Sequence, residues 1–468
     1  MSTFVISLGL ALACLWPACV AAQEVHLKNG DVIYADHVDE NGDRVRYEVG
    51  DNSYTIPKSS VERIVAGTRA ESIAMPAELP NFTPETHAGG EAHLLDQIVH
   101  EHEVDRSVLR EVESRGSEKD TAIAYYIAGK TEFEAGQFAS AKQDLETALR
   151  FDPENPAILN YYGAALVRTG SPLDAIAYAE RASRLAPDSP DAFAVLGYAQ
   201  FATGRLRDSI ASWKKSLSLR PDASLQAMID RAQRESRAEA GYSERDSSHF
   251  ALKYEGRQSS ESFRDQLMQV LEADYRDLSR QFGAEPRSSI QVVLYTDQAF
   301  FDVTRAPAWT GALNDGRLRI PLRGLDSVTP ELGRVLRHEL THSFVNQLSL
   351  GHCPAWLNEG IAQMMEPQSL GSRAARLADL FRQQHEIPLN LLEAGFSSFN
   401  RTQAEIAYDE SLAAVEFIYS RYGMNDLLQM VERIGQGEST ETSLRQVLHD
   451  DYGQFQEELR RHLTAGRN

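Results

Sequence analysis

Residues 338–342 read His-Glu-Leu-Thr-His, and a second glutamate follows at position 359. On a helix, residues four apart differ by about 40° around the axis, so the imidazoles of His338 and His342 face one point. Two ligands of a zinc ion need that arrangement. Glu339 is the next residue round from His338, able to reach a metal-bound water without ligating the metal. Zinc lowers the pKa of such a water towards ~7, and a carboxylate can then accept its proton during attack on a carbonyl. A third protein ligand is still required. Glu359 provides one within Pro354-Ala355-Trp356-Leu357-Asn358-Glu359-Gly360-Ile361-Ala362. A lone carboxylate in so apolar a stretch is costly unless its charge is met, and a zinc ion would meet it.

These residues need a scaffold. Thr329-Pro330-Glu331 has the features of a helix start: a capping hydroxyl, a proline in the first turn and an acid near the positive end of the dipole. The helix is expected to run to about Leu348, with Leu332, Val335, Leu336, Leu340, Phe344 and Val345 available to pack. Upstream, His249–Tyr254 alternates like a strand, Glu261–Phe282 carries a helical apolar face, and Ile290–Tyr295 is a short apolar strand. Gly316–Leu322 alternates again. From 248 to 463 the expectation is an α+β domain.

His-Glu-Leu-Thr-His followed by Trp-Leu-Asn-Glu-Gly-Ile-Ala resembles the thermolysin-like gluzincins, which are zinc metallopeptidases, and most closely their peptidase MA-like branch. The resemblance covers roughly Ser248–Leu463. It implies a zincin-type fold, one catalytic Zn2+ held by His338, His342 and Glu359, Glu339 as general base, and a protein or peptide substrate. It points to Tyr408, in Ala407-Tyr408-Asp409-Glu410-Ser411-Leu412 ahead of a helix ending at Arg421-Tyr422-Gly423, as the phenol that hydrogen-bonds the oxyanion. It implies that Gly311-Ala312 and the Gly316–Leu322 strand form the edge along which a substrate backbone pairs. The chain departs from the pattern at Gln363. Related enzymes often carry an acid there to orient a ligand histidine. The amide oxygen of Gln363 could accept the same hydrogen bond, and Glu366 is a candidate substitute.

The preceding third of the chain has an internal period. Gly129, Gly163 and Gly197 are thirty-four residues apart, as are Gly136, Gly170 and Gly204, and Pro153, Pro187 and Pro221. That section, 122–240, resembles three tetratricopeptide repeats closed by a capping helix, a solenoid that either receives a protein partner in its groove or serves as a spacer. Residues 92–121 read as a helical lead-in, with one helical stretch over 92–115, and 67–91 as a Pro- and Gly-bearing linker. Residues 23–66 alternate on a two-residue period, with Asn29-Gly30, Asn41-Gly42 and Asp51-Asn52 as turns. A small four- or five-stranded SH3-like β meander is expected there.

Residues 1–22 have the form of a signal peptide, with cleavage before Gln23. No later stretch reaches transmembrane length, so the expected location is periplasmic or secreted, with no anchor after cleavage. Only Cys353 would remain, read as a small buried thiol with no disulfide partner. The formal charge of −21 disfavours nucleic acid as a partner. The fold class is thus multidomain: an all-β module, an α-helical solenoid and a C-terminal α+β domain. Two functions remain open at this point, an exported metallopeptidase and a non-catalytic interaction scaffold with a structural or inactive zinc domain.

Overall fold

The computed structural model describes residues 23–28, 32–35, 37–42, 44–49, 52–66, 82–85, 87–100, 103–304, 312–366, 370–371, 373–396, 399 and 401–465. The proposed signal peptide, most of the linker and Gly311 lie outside them. The described residues fall into two compact units, 23–66 and 82–465.

The first unit has six strands: β1 (Gln23–Leu27), β2 (Val32–Ala35), β3 (His37–Asn41), β4 (Arg44–Val49), β5 (Asn52–Pro57) and β6 (Val61–Ala66). They form two antiparallel three-stranded sheets, ordered β2-β1-β6 and β3-β4-β5. A four- or five-stranded meander is therefore corrected. A 3-10 turn at Lys58–Ser60 carries the chain away from β5, and β6 returns to pair with β1. Val25, Val38 and Val45 form the small shared core.

The second unit opens with α1 (Ala92–Ile98), a short hairpin of β7 (Val99–His100) and β8 (Glu103–Val104), and α2 (Arg106–Ser114). The single helix expected over 92–115 is interrupted. The β-branched Val99 leaves helical geometry, and Asp105 starts a new helix by accepting from the backbone N–H groups of Ser107 and Val108. Three helix pairs follow: α3 (Glu118–Glu134) with α4 (Phe138–Phe151), α5 (Pro156–Arg168) with α6 (Pro172–Leu185), and α7 (Pro190–Ala202) with α8 (Leu206–Leu219). Then comes α9 (Ala223–Ala238). The first pair begins ahead of 122 because the Ser117 hydroxyl caps α3. Within a pair the helices pack closely enough to require glycine: a Cβ at Gly197 would overlap the Trp213 indole.

The C-terminal part contains a five-stranded sheet of β9 (Ser243–Asp246), β10 (Phe250–Tyr254), β11 (Ile290–Tyr295), β12 (Leu313–Asn314) and β13 (Leu318–Pro321), ordered β12-β13-β11-β10-β9. The three central strands are parallel and the two outer ones antiparallel to their neighbours. The helices are α10 (Glu261–Phe282), α11 (Asp297–Thr304), α12 (Pro330–Ser349), α13 (Ala355–Met365), α14 (Arg373–Arg382), α15 (Arg401–Gly435, broken at Gly423), α16 (Thr440–Val447) and α17 (Tyr452–Ala465). One apolar core joins α10, the inner strands, α12, α13 and α15. The expected edge needs correcting. Within Gly316–Leu322, Leu318 and Arg319 are paired on both sides, so that stretch of the edge belongs to the two-residue β12, while Ile320 and Pro321 pair with β11 alone.

The repeats are packed directly on this C-terminal part. Each intra-pair turn glycine approaches it: Gly136 faces His352, Gly170 faces Gln347, and Gly204 faces Gln291 and Lys253. Thirty-four-residue periodicity thereby becomes a row of evenly repeated contacts. At the end of the row α9 enters a buried ionic network. Arg317 Nη1 lies 2.8 Å from both Glu235 Oε2 and Glu239 Oε1, and Arg319 binds Glu235 (3.0 Å) and Asp315 (2.9 Å). Tyr295 accepts from Arg319 and donates to Glu239. Burial would raise the Glu235 carboxyl, but Arg319, Arg317 and Arg231 outweigh it and hold it at about 2.

Candidate metal centre

Helix α12 starts as its sequence dictates: Thr329 Oγ1 accepts from Leu332 N at 3.2 Å, with Pro330 in the first turn. Leu332, Leu336, Leu340, Phe344 and Val345 are buried in the core. This fixes the rotation of α12 and turns His338 and His342 together, their rings 4.8 Å apart and near-perpendicular. Helix α13 brings Glu359 to them. Its Oε2 is 3.4 Å from His338 Nε2, and its Oε1 is 3.9 Å from His342 Nε2. One ligand atom from each of the three lies within 4.8 Å of the others.

The outer nitrogens are held. His338 Nδ1 meets Glu366 Oε1 at 2.7 Å, and His342 Nδ1 meets Asn358 Oδ1 at 2.8 Å. This leaves both Nε2 atoms turned towards the buried Glu359 carboxylate, whose Oε2 has only the long 3.4 Å approach to His338 Nε2. A buried carboxylate and two imidazole nitrogens converging on one point fit a cation. The partners also sort the sequence-level candidates. Glu366 takes the orienting role. Gln363 does not, because Glu366 and Asn358 already hold the two Nδ1 atoms, and its amide nitrogen donates to the carbonyls of Tyr408 (2.9 Å) and Glu359 (3.4 Å). Asn358 was missed, although its place immediately before Glu359 put it on the same helix turn.

Charge in the cluster is redistributed strongly. Burial would lower His338, but hydrogen bonds to Glu359 and Glu366 lift it well above the usual imidazole range. Burial lowers His342. Burial would raise Glu359, yet His342 and His338 bring it below the ordinary carboxylate value. Burial pushes Glu339 up to about 7, opposed by His338 and reinforced by Glu359. A carboxyl poised there can hold or release a proton near neutrality.

Two further elements complete the wall. Asn314 on β12 donates to the Glu339 carbonyl (2.6 Å) and to Ser343 Oγ (2.7 Å), tying the sheet edge to α12. The sequence offered only a Leu-Asn-Asp-Gly turn as a hint of this. Tyr408 lies inside α15 rather than ahead of a helix, because the helix already begins at Arg401. Its ring packs edge-on against Phe396 and is 38% exposed. Glu359, then burial and Glu339, push its phenol up, which places it near both carboxylates. With Gln363, Arg373, Arg376, Glu405 and Asp409 it lines a cavity of about 550 Å³. Cys353 is half-buried and free, its thiol pushed up by burial.

Residues 273–465 match the family model of the Peptidase MA superfamily. The chain carries a Peptidase MA domain. The repeat section matches the tetratricopeptide repeat model twice, over 126–190 and 165–224. No curated protein matches the chain. Among solved structures, the first tetratricopeptide domain of Spaghetti, determined with an HSP90 peptide, is 20% identical with a TM-score of 0.24; the match covers 25% of this chain and 93% of that one. A mutant O-GlcNAc transferase of Thermobaculum terrenum is 12% identical with a TM-score of 0.23, covering 81% and 99%. Among the described residues, no helix is long and apolar enough to cross a membrane.

Proposed function

We propose that this chain is an exported, zinc-dependent metallopeptidase of the thermolysin-like gluzincin type, cleaving peptide bonds in a protein or peptide substrate. The observation that carries the reading is the buried Glu359 carboxylate facing the Nε2 atoms of two imidazoles whose far nitrogens are already held. His338, His342 and Glu359 would hold the ion, which supplies Lewis acidity and an acidified water when bound. Glu339, with a carboxyl at about 7, accepts a proton from the attacking water and can return it to the departing amine. Tyr408 donates its phenol hydrogen towards the developing oxyanion. Asn314 holds the backbone at Glu339, so the base is fixed to the edge strand beside which a substrate backbone would lie.

The reading is tested with the purified chain lacking residues 1–22, on denatured protein and peptide libraries. Cleavage should be lost on chelation, restored by zinc, and reduced at least about a thousandfold by Glu339→Gln with metal content unchanged. Cleavage that survives chelation, or that persists in Glu339→Gln, refutes it.

A further inference from the structure

The first helices of the repeat pairs are already covered by a peptide, and the peptide belongs to this chain. Residues 82–85, Phe-Thr-Pro-Glu, have no regular secondary structure and lie across α5 and α7. The Phe82 ring sits 4.8 Å from that of Tyr198 and packs against the cores of the repeats, and with Phe133, Ala164, Val167, Arg168, Val195 and Tyr198 it walls a small hollow. Tyr161, fully buried on α5, donates its hydroxyl to the Pro84 carbonyl. The Glu85 N–H donates to Asp191 Oδ2 at 3.1 Å, and its carboxylate pairs with Arg220 at 2.9 Å. Arg220 also pairs with Asp191, so one buried carboxylate serves both peptide backbone and anchor.

An aromatic side chain packed on the repeat cores, two backbone groups read by buried polar atoms, and a terminal charge pair amount to sequence-selective peptide recognition. We infer that the repeat face is a recognition site for aromatic-X-proline-acidic peptides, filled in cis by residues 82–85, and that a partner protein presenting such a segment engages it by displacing them. The apolar surface there suits an aromatic ring. A proline leaves its carbonyl available without requiring a donor in return, and Arg220 selects an acid at the last position. Tethering matters here: a segment joined to the repeats by a few residues competes at an effective concentration in the millimolar range. The intact chain should thus bind a free copy of the motif weakly, and an emptied site should bind it well.

The probe is a fluorescein-labelled peptide of residues 79–88, titrated against the full chain lacking 1–22 by anisotropy. Phe82→Ala/Glu85→Ala should bind it at least tenfold more tightly than the unsubstituted chain, and adding Tyr198→Ala or using a probe with Phe82→Ala should abolish the gain. Equal binding to both proteins, or no binding to an emptied protein with native circular dichroism, overturns the inference. Hydrogen exchange on the unsubstituted chain needs no variant to fold. The Glu85 amide should be protected and should lose protection under a large excess of unlabelled peptide; exchange as fast as in the free peptide also overturns it.

Discussion

The backbone of Gly360 lies directly against the carbonyl oxygen of Ser411, so that a Cβ at 360 would overlap both that oxygen and Val415 Cγ2. Glu359 and Tyr408 sit on the two helices that meet there, and the separation of α13 from α15 sets the distance between that carboxylate and the phenol. Backbone cannot yield as a side-chain end would. Gly360→Ala is expected to cost about 1–3 kcal/mol and to lower kcat/KM on any cleaved peptide about a hundredfold. Thermal melts and steady-state kinetics read the two effects. A variant destabilised without loss of activity would show that the spacing does not matter to catalysis.

Glu366 and Asn358 each hold the outer nitrogen of one candidate ligand, whereas Gln363 touches neither histidine. Glu366→Ala and Asn358→Ala should each weaken metal binding about 10–100-fold, and Gln363→Ala should leave it unchanged. Competition against a chromophoric chelator measures all three. Equal weakening by Gln363→Ala would assign the orienting role to the amide after all.

The motif at 338–342, its capped helix and the thirty-four-residue period were legible because each rests on local spacing, and spacing is what a sequence carries. Thr329 and Pro330 start α12 where their chemistry requires it, and the repeat glycines recur with the turns. What sequence did not carry was the choice between equivalent partners. Gln363 and Glu366 are both near Glu359 in sequence, and only helix packing decides which one meets His338. The Leu313–Asn314 edge was too short to show alternation. The break at Val99 was hidden because both halves of the lead-in place apolar residues on helical spacing. Burial of Arg317 and Arg319 was likewise invisible, since Asp315 is the one local carboxylate and the others, Glu235 and Glu239, lie on α9 and its C-cap some eighty residues upstream in the chain.

That network gives a third prediction. Glu235 is fully buried and accepts from Arg231, Arg317 and Arg319. Removing one member of such a set leaves buried charge uncompensated, at a cost of about 3–5 kcal/mol. Glu235→Ala should destabilise the repeats and the Peptidase MA domain together, as one lowered transition. Because the pairs are shielded from solvent, 0.5 M salt should change the stability of the unsubstituted chain little through this network. Calorimetry distinguishes one transition from two; an unchanged melt would mean the network is neutral to stability.

Glu410 lies two residues beyond Tyr408, wholly buried, and both its oxygens accept from the Ile387 N–H, at 3.0 and 3.1 Å. Burial lifts its carboxyl from 4.5 to about 8, the single N–H being too little to hold it down. The folded pKa exceeds the unfolded one, so Glu410 contributes full stability below pH 4.5 and loses it progressively as pH rises through about 8. Glutamine cannot ionise and keeps an acceptor for the Ile387 N–H. Glu410→Gln should therefore match the unsubstituted chain near pH 4.5 and exceed it at pH 9 by on the order of 3 kcal/mol. Urea unfolding at several pH values in this window gives the difference directly. A difference that stays flat with pH would show that Glu410 does not change its charge on unfolding, and that the Ile387 contact holds it ionised throughout.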